Sequence, residues 1–592
     1  ESVVRTKMKY KLLAASILAT LSTSATSATY QLSELGTLED AKYSYVTDVS
    51  ESGHIIGFAN GLYNLPIDTS YIDFTENVIE SAYDSTEAAY ELSDKEITFT
   101  LDDIENNDAV STNPDAHAFM VSFLANSNLG IPSNFEYQKM SSLVGIKFNE
   151  SEITEQPIFD IASVDYDGLT RSTVNLLNAV SEDGVTVGWG SAPYDKVSFT
   201  PDGEDDAETW FTHEFIERGI VISADGSVSV ELEPEFNEYG GTSRANDIVK
   251  TNSGYTVVGN MSTSIPDDRQ DNIDDNCDNE DEPTSVCINL LNSNITRGLF
   301  NKRAVKWELD ESLNITSVEE LGMALTPDEG EAEDDAFTST ALAVNSNGTI
   351  VGSSNTRYYK NDDTILTMPV YFKDGAVVDF INQEDDWQSG KSIAINDNDV
   401  ITGYATKRIE GTLRNKFFYH DIATGSTVFP NDYFSSSSSY GNDINNQGYI
   451  VGEGEVGVSD SSRLKEAFIY KIGEDKITNL NDLLPCYDTD GETDYAYTMV
   501  EATAINENNE IFGTATKTVE KLDSLGGVVT DINGEIEYES IAIAVKLTPI
   551  ANGEVESCAP VEAEVYERNS ASFPWYTLLL LPLVGLRRVF RF

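Results

Sequence analysis

Residues 267–283 read DDRQDNIDDNCDNEDEP, a density of hard oxygen donors that could chelate a cation. Calcium takes about six to eight such oxygens, and Asp271, Asp274, Asp275 and Asp278 are the candidate ligands, with the neighbouring Cys277 pinning the loop. The ligand order of an EF-hand and its glycine are missing, so two readings stay open: a structural calcium site, or a solvated acidic loop. No other cofactor is expected. The remaining chemistry-bearing patterns fail on context. GEGEVG (452–457) matches a phosphate-cradling GxGxxG by letter, yet no helix follows, and Glu453 and Glu455 would repel a pyrophosphate. HEFIE at His213 lacks the second histidine of a zinc-binding HExxH. SEDGVTVGW, ending at Trp189, only approximates the Asp-box of sialidase propellers. With His54, His117, His213 and His420 as the whole histidine complement, and no GxSxG, a Ser-His-Asp relay has little to build on. Carboxylates abound, but nothing singles out a pair for glycoside cleavage. No catalytic residue is assigned.

Charge narrows the partners. The 592 residues hold 37 Lys and Arg against 101 Asp and Glu, a formal net charge of -64, which repels nucleic acid and anionic lipid headgroups. Hydrophobic residues make up 40%, enough for a large core, so the acidity belongs to a folded surface.

Both ends read as addresses. Met8, Lys9 and Lys11 precede an apolar run, residues 12–21, and small residues that suit cleavage near Ala28. Residues 1–28 are therefore expected to be a signal peptide, with those before Met8 not native. Export places the four cysteines in an oxidising compartment. Of three connectivities, Cys277–Cys287 and Cys486–Cys558 are expected from their spacing. At the other end, residues 561–592 form an acidic linker, an apolar stretch too short to be a comfortable membrane span, and Arg587, Arg588 and Arg591.

What must position any site is a sentence written seven times. VSESGHIIG, VSEDGVTVG, VNSNGTIVG, INDNDVITG, INNQGYIVG and INENNEIFG end at Gly57, Gly188, Gly352, Gly403, Gly452 and Gly513, and a longer variant ends at Gly259. In each, Asn or Ser starts a turn by bonding backbone ahead of it, and Gly53, Gly184, Gly254, Gly348 or Gly448 (Asp399 or Asn509 elsewhere) supplies positive φ. Each sentence is a β-hairpin, and its closing glycine fits where strands crowd. A third strand, rich in aromatics, follows: HAFMV at His117, AVKWEL at Ala304, PVYF at Pro369, KFFYH at Lys416, EAFIYKI at Glu466 and IAIAVKL at Ile541. A fourth often comes after a polar turn, at Ala376, Ser426 and Lys476. Four antiparallel strands at a period of about 50 residues predict a seven-bladed β-propeller over residues 29–560. The last unit lacks a fourth strand, and TYQLSEL near the mature N-terminus is an orphan, so the N-terminal strand is expected to close the ring.

Through ELGTLEDAKYSYVTDVSESGHIIG leading to His117-Ala118-Phe119, and DINNQGYIVGEG leading to Glu466-Ala467-Phe468, the chain resembles bacterial extracellular HAF-repeat proteins, a family of unknown function. The resemblance implies an exported repeat protein and brings no catalytic residues. The C-terminal pattern resembles the GlyGly-CTERM sorting tails trimmed by a processing protease, with Ser570-Ala571-Ser572 where Gly-Gly is usual.

Propeller geometry sorts the loops. The long insertions, about 59–116, 261–302 and 517–540, join second to third strands, and 124–173 and 313–340 join blades. All of these emerge on one face, opposite tight turns. The expected protein is thus an exported, envelope- or surface-associated, non-enzymatic binding or scaffolding propeller, its protein or glycan partner on the long-loop face, touching membrane only through its C-terminal segment. Two alternatives are a carbohydrate-active or otherwise hydrolytic propeller and a calcium-dependent surface or matrix protein.

Overall fold

The computed structural model describes residues 29–556 apart from 94, 126–134, 150–151, 164–167, 278–280, 295–297, 458–462, 488–494 and 532. The expected signal peptide, the C-terminal tail, Asp278 and Cys558 lie outside the described residues.

Seven four-stranded antiparallel sheets follow one another along the chain. Their first strands, from Ala41–Val49 in blade one to Thr498–Ile505 in blade seven, contact one another in sequence and again across the last-to-first junction, so they form the inner ring of a β-propeller. The ring closes as expected. Tyr30–Gly36 is the outer strand of blade seven and runs antiparallel to Tyr538–Pro549, with Tyr30 opposite Pro549 and Leu32 opposite Leu547.

The aromatic third strands are explained by burial on both faces. In Lys465–Lys471, Ala467 and Ile469 pack toward blade seven while Phe468 and Tyr470 pack toward blade five. Successive side chains of a strand point to opposite faces, and in a propeller both faces meet a neighbouring blade, so such a strand reads as continuously apolar. Phe417 and Phe418 divide between blades in the same way. Each such side chain stabilises the fold by about 1.5–3 kcal/mol.

The recurrent closing glycine has a steric cause. Every first strand carries a bulge near its middle, as between Gly441 and Asp443, and the glycine of the second strand faces it. A Cβ on Gly452 would lie 1.9 Å from the Tyr440 carbonyl oxygen, and Gly57, Gly188, Gly259, Gly352, Gly403 and Gly513 are equally closed to a side chain. The turn positions hold positive φ: 89° at Gly53, 86° at Gly184, 142° at Gly254, 80° at Gly348, 77° at Gly448, 57° at Asp399 and 58° at Asn509.

Blade one departs from expectation. His117-Ala118-Phe119 lies in a helix, and the third strand is Val144–Phe148. Residues 63–143 form an insert with helices α1 (Asn77–Leu92), α2 (Leu101–Asn107), α3 (Ala109–Thr112) and α4 (Pro114–Ala125) around their own apolar core of Ile79, Ile104, Phe119, Met120 and Phe123. Asn113 Oδ1 accepts from the N–H groups of Asp115 and Ala116 at 2.9 and 3.2 Å, and Pro114 takes the first helical position, where a missing N–H costs nothing. That capped start decides helix over strand. Two further boundaries move: 124–173 contains the third and fourth strands of blade one, and 313–340 contains the fourth strand of blade three, Ile315–Gly322.

The acidic segment is helical too. Helix α5 (Asp267–Asn276) and α6 (Thr284–Asn294) are clipped by the expected Cys277–Cys287 disulfide, with Cα atoms 5.4 Å apart. Cys486 is disulfide-bonded as well.

Candidate ligand-binding face

Two places in this fold gather polar chemistry: the axial channel and the face bearing the inserts. The bulges turn the side chains around them, which re-aims polar groups toward the axis. Asn178, Asn246 and Asn442 donate through Nδ2 to the carbonyls of Ala245, Ala341 and Ala502 in the next blade, at 2.8, 2.7 and 3.1 Å. One residue away from a bulge, Asp48, Asp247 and Asp443 accept from the backbone N–H of Val180, Val344 and Ile505, each at 2.8 Å and each in the next blade. These carboxylates line a channel of about 680 Å³. Burial pushes Asp247 up to about 7 and Asp443 to about 6, and burial followed by the charge of Asp247 raises Asp48 well above the carboxylate range. Glu501, also in the channel, is pushed up to about 7 by burial and by Glu453. The three aspartates are committed to joining blades, which makes the channel a structural axle.

A belt runs around the tight-turn end of that axle. Backbone N–H groups of Ser346, Asp397, Asn446, Glu507 and Glu51 donate in turn to the side chains of Asp397, Asn446, Glu507, Glu51 and Glu182, linking blades four, five, six, seven, one and two. The turn-starting Asn does double duty. Asn345 Oδ1 accepts from its own turn at Asn347 and Thr349, while Nδ2 donates to the Asn396 carbonyl at 2.9 Å. Asn396 and Asn445 repeat the bond to Asn445 and Asn506 at 3.0 and 3.1 Å. The repeated sentence is therefore an interblade fastening as well as a turn.

The opposite face carries the inserts, and four successive blades bear them between second and third strands: 521–537 in blade seven, 63–143 in blade one, 191–217 in blade two and 265–300 in blade three. The blade-two insert is an additional hairpin, Asp195–Phe199 with Glu208–Thr212. In blades four and five the same connection is a bare turn. The inserts of blades seven, one and two are bonded to one another. Asn64 N–H donates to the Ser524 carbonyl at 2.8 Å and Ser524 Oγ to the Pro114 carbonyl at 2.6 Å. Phe211 N–H donates to the Phe135 carbonyl, and Lys196 Nζ to the Tyr71 hydroxyl at 2.9 Å. They build a shelf along one arc of the ring.

Cavities lie under this shelf. One of about 420 Å³ is lined by Asp40, Tyr63, Asn64, His117 and Arg171 among others. Another, of about 300 Å³, is lined by Lys139, Thr170, Ser172, Tyr194 and Lys196. Burial lowers Lys139 to about 8 and raises Tyr194 to about 12. His213, whose ring lies 4.5 Å from that of Tyr194, is brought down to about 4 by burial. His420 Nδ1 meets Thr427 Oγ1 at 2.8 Å and its ring stacks on Phe380, and His54 is exposed. Among the described residues, none of these contacts assembles a Ser-His-Asp relay.

Of the calcium candidates, Asp271, Asp274 and Asp275 are exposed on α5, and Gln270 donates to Asp274 at 2.9 Å. Among the described residues no three His, Cys, Asp or Glu side chains converge as a metal site. Lys139 and Arg171, in the walls of these cavities, belong to no sequence motif, and His213 stands out in the sequence only through the incomplete HExxH. One signal for the insert exists: Ile79, Ala82 and Tyr83 repeat at helical spacing, a stripe that a reading tuned to strands passes over.

These features define a seven-bladed β-propeller with a structural axle and one decorated arc. Residues 7–589 match the family described as protein of unknown function (DUF3466), and the chain belongs to that family. A comparison with curated proteins gives no match. Among solved structures, 33 chains match. They include the β-propeller domain of the Trilobed protease from Pyrococcus furiosus, at TM-score 0.30 and 8% identity over 68% of this chain and 89% of that one. Pyrococcus horikoshii acylaminoacyl peptidase matches at TM-score 0.29 and 10% identity, over 62% of this chain and 52% of that chain. Porphyromonas gingivalis dipeptidyl peptidase 4 gives 0.29 and 8%, over 63% and 47%. The chain thus spans about half the length of these two peptidases. At such identity and overlap no peptidase activity transfers.

Proposed function

We propose that this protein is an exported binding or scaffolding module that engages a protein or glycan of the cell envelope or surface through its shelf of inserts. The observation that carries this reading is the lopsided arrangement: four adjacent blades build inserts on one face, those of blades seven, one and two bonded to one another, while the opposite face keeps tight turns. Rigid scaffolds that decorate one face in this way commonly use it for recognition. The disulfides fit an oxidising compartment, and the net charge of -64 argues against nucleic acid. The C-terminal segment would tether the module or be trimmed by a processing protease.

The test replaces residues 66–138 with a short Gly-Ser linker. A glycan array and quantitative pull-downs from envelope fractions are then compared between wild type and variant. Lost binding with unchanged β-rich circular dichroism supports the reading. Binding that survives the deletion refutes it.

A further inference from the structure

We propose that the outward face of the blade-seven insert, formed by Leu522, Val528, Ile536 and Tyr538, docks a basic protein segment in which an aliphatic or aromatic side chain is flanked by Lys or Arg. The inference rests on the reading of the insert face as the binding face, and it names the partner's chemistry.

The insert prolongs the strands Ile511–Glu520 and Tyr538–Pro549. Lys521 N–H donates to the Glu537 carbonyl at 2.9 Å, and Val529 lies against both: its N–H donates to the Lys521 carbonyl at 2.9 Å and its carbonyl accepts from Glu537 N–H at 3.0 Å. Glu520 stands opposite Tyr538, Leu522 opposite Val528, and Thr530 opposite Ile536. Residues opposite one another in an antiparallel pair share a side, as do alternate residues along a strand. Glu520, Leu522, Val528, Thr530, Ile536 and Tyr538 therefore make one face of a small sheet, and Lys521, Val529, Glu537 and Glu539 make the other.

The polarity of these two faces is inverted. The inward residues are half-buried, yet they include the ion pairs Lys521–Glu537 at 2.8 Å and Lys42–Glu539 at 2.6 Å. The outward Val528, Ile536 and Tyr538 are 49%, 41% and 61% exposed. A sheet wetted on one side normally turns its polar residues to water. Single exposed apolar side chains are ordinary, but neighbours on one face of one small sheet mark a surface that a partner covers.

Charge selects the partner. The four inserts hold 36 of the chain's 101 Asp and Glu but 6 of its 37 Lys and Arg, a ratio of six to one where the rest of the chain has about two to one. Acidity spread for solubility alone would not concentrate there. Glu520 shares the apolar face and Glu535 adjoins it, and among the described residues neither has a cationic partner. On the adjacent insert, Glu80, Asp84, Glu87 and Glu91 recur at helical spacing along the exposed side of α1. A second copy of this chain would bring the same acids against this face, and anionic lipid is repelled likewise. Aliphatic side chains offer a sugar hydroxyl no hydrogen bond. A protein segment with apolar anchors and a basic rim meets both halves of the surface.

The test selects random phage-displayed peptides on the folded protein, with counter-selection on the variant Val528→Thr, Ile536→Thr, Tyr538→Thr. Threonine keeps the strand preference, so circular dichroism and Tm should not change. If they do, Tyr538→Thr alone, at the most exposed of the three positions, takes its place. Peptides that prefer wild type should combine Lys or Arg with Ile, Leu or Phe. In fluorescence anisotropy the tightest of them should bind the variant at least about tenfold more weakly, the loss expected when apolar anchors go. It should bind the control Ile315→Thr, Val318→Thr, which alters equally exposed apolar residues on the outer strand of blade three, as tightly as wild type. Raising salt should weaken it. No peptide preferring wild type, preferred peptides without Lys or Arg, or an equal loss in the control would overturn the proposal. So would a wild-type dimer that the variant dissociates on analytical ultracentrifugation. If wild type and the variant capture the envelope partner equally while the 66–138 deletion loses it, the docking assignment fails and the binding-face reading stands.

Discussion

The backbone N–H of Glu507, in the last blade, lies 3.0 Å from each carboxylate oxygen of Glu51, in the first. Nothing in the covalent chain holds these two residues together, since 456 positions separate them. The contact belongs to a second closure of the ring, at the channel mouth, distinct from the strand that completes blade seven. Thr29 ties that strand further, donating to the Leu483 carbonyl at 3.1 Å and accepting from Ile550 at 2.8 Å.

The two closures should differ in weight. Glu51→Ala removes one exposed charge-assisted bond and should cost about 1 kcal/mol. Deleting residues 29–36 removes the buried Tyr30 and Leu32, about 1.5–3 kcal/mol each, and bares the edge of Tyr538–Pro549. The truncated protein should aggregate on size-exclusion chromatography, and a synthetic 29–36 peptide should reverse this in part. A monomeric truncation with wild-type Tm would show that the belt alone closes the ring.

Glycines of the repeated sentence fall into two kinds that one substitution separates. At Gly448 the obstacle is φ of 77° with only the Ile472 side chain nearby, so Gly448→Ala should cost about 1–2 kcal/mol. At Gly452 a Cβ meets backbone at 1.9 Å, and the strand must move, so Gly452→Ala should cost more than about 3 kcal/mol. Urea unfolding of both variants measures the difference. Equal values would mean that the bulge relaxes freely.

Much of this architecture is legible because turn chemistry and strand alternation are local. INNQGYIVG states its own hairpin, and the orphan Tyr30–Gly36 strand implies its partner by counting. The insert is harder to read, because AHAFMV satisfies the strand pattern seen in other blades, and the helical signals lie outside it, in the stripe of Ile79, Ala82 and Tyr83 and in the Asn113-Pro114 start. The interblade bonds of Asp48, Asp247 and Asp443 depend on bulges that rotate a side chain by register, which spacing alone does not display. The cavity at Arg171 is assembled from residues 40, 63–64, 117 and 171, brought together only by the fold.

Asn445 offers a substitution that the protein itself has made elsewhere. Blades one and two carry Ser50 and Ser181 at this position, whose hydroxyls accept from His54 and Val185 within their own turns at 3.1 and 3.0 Å. Asn445→Ser should likewise keep its turn and lose the bond to the Asn506 carbonyl, a cost of about 1 kcal/mol. Asn445→Ala should lose both, about 2–3 kcal/mol. Thermal unfolding of the pair ranks them, and Ser equal to Ala would deny the hydroxyl any role in the turn.

The axle aspartates set an unusual pH dependence. A carboxyl whose pKa is higher folded than unfolded holds its proton more tightly in the folded state, so stability grows as pH falls through that interval. Asp247 at about 7, Asp443 at about 6 and Glu501 at about 7 all behave this way against ordinary values of 3.8, 3.8 and 4.5. Their contribution is least favourable above pH 7, improves as pH drops, and is complete below about 4. Asp183, held down to about 2 by bonds from Lys250 and Tyr255 although burial opposes the shift, works in the opposite sense and is lost as pH falls from about 4 toward 2. Tm should therefore peak between about pH 4 and 6 and decline by several degrees toward pH 8. In Asp247→Asn, one interblade or local N–H loses its acceptor, but the charge that titrates is gone. The double variant Asp247→Asn, Asp443→Asn should show a lower peak Tm and a flatter slope from pH 5 to 8. A wild-type Tm that rises steadily to pH 8, or a slope unchanged in the double variant, would show that these carboxylates stay ionised in the folded ring.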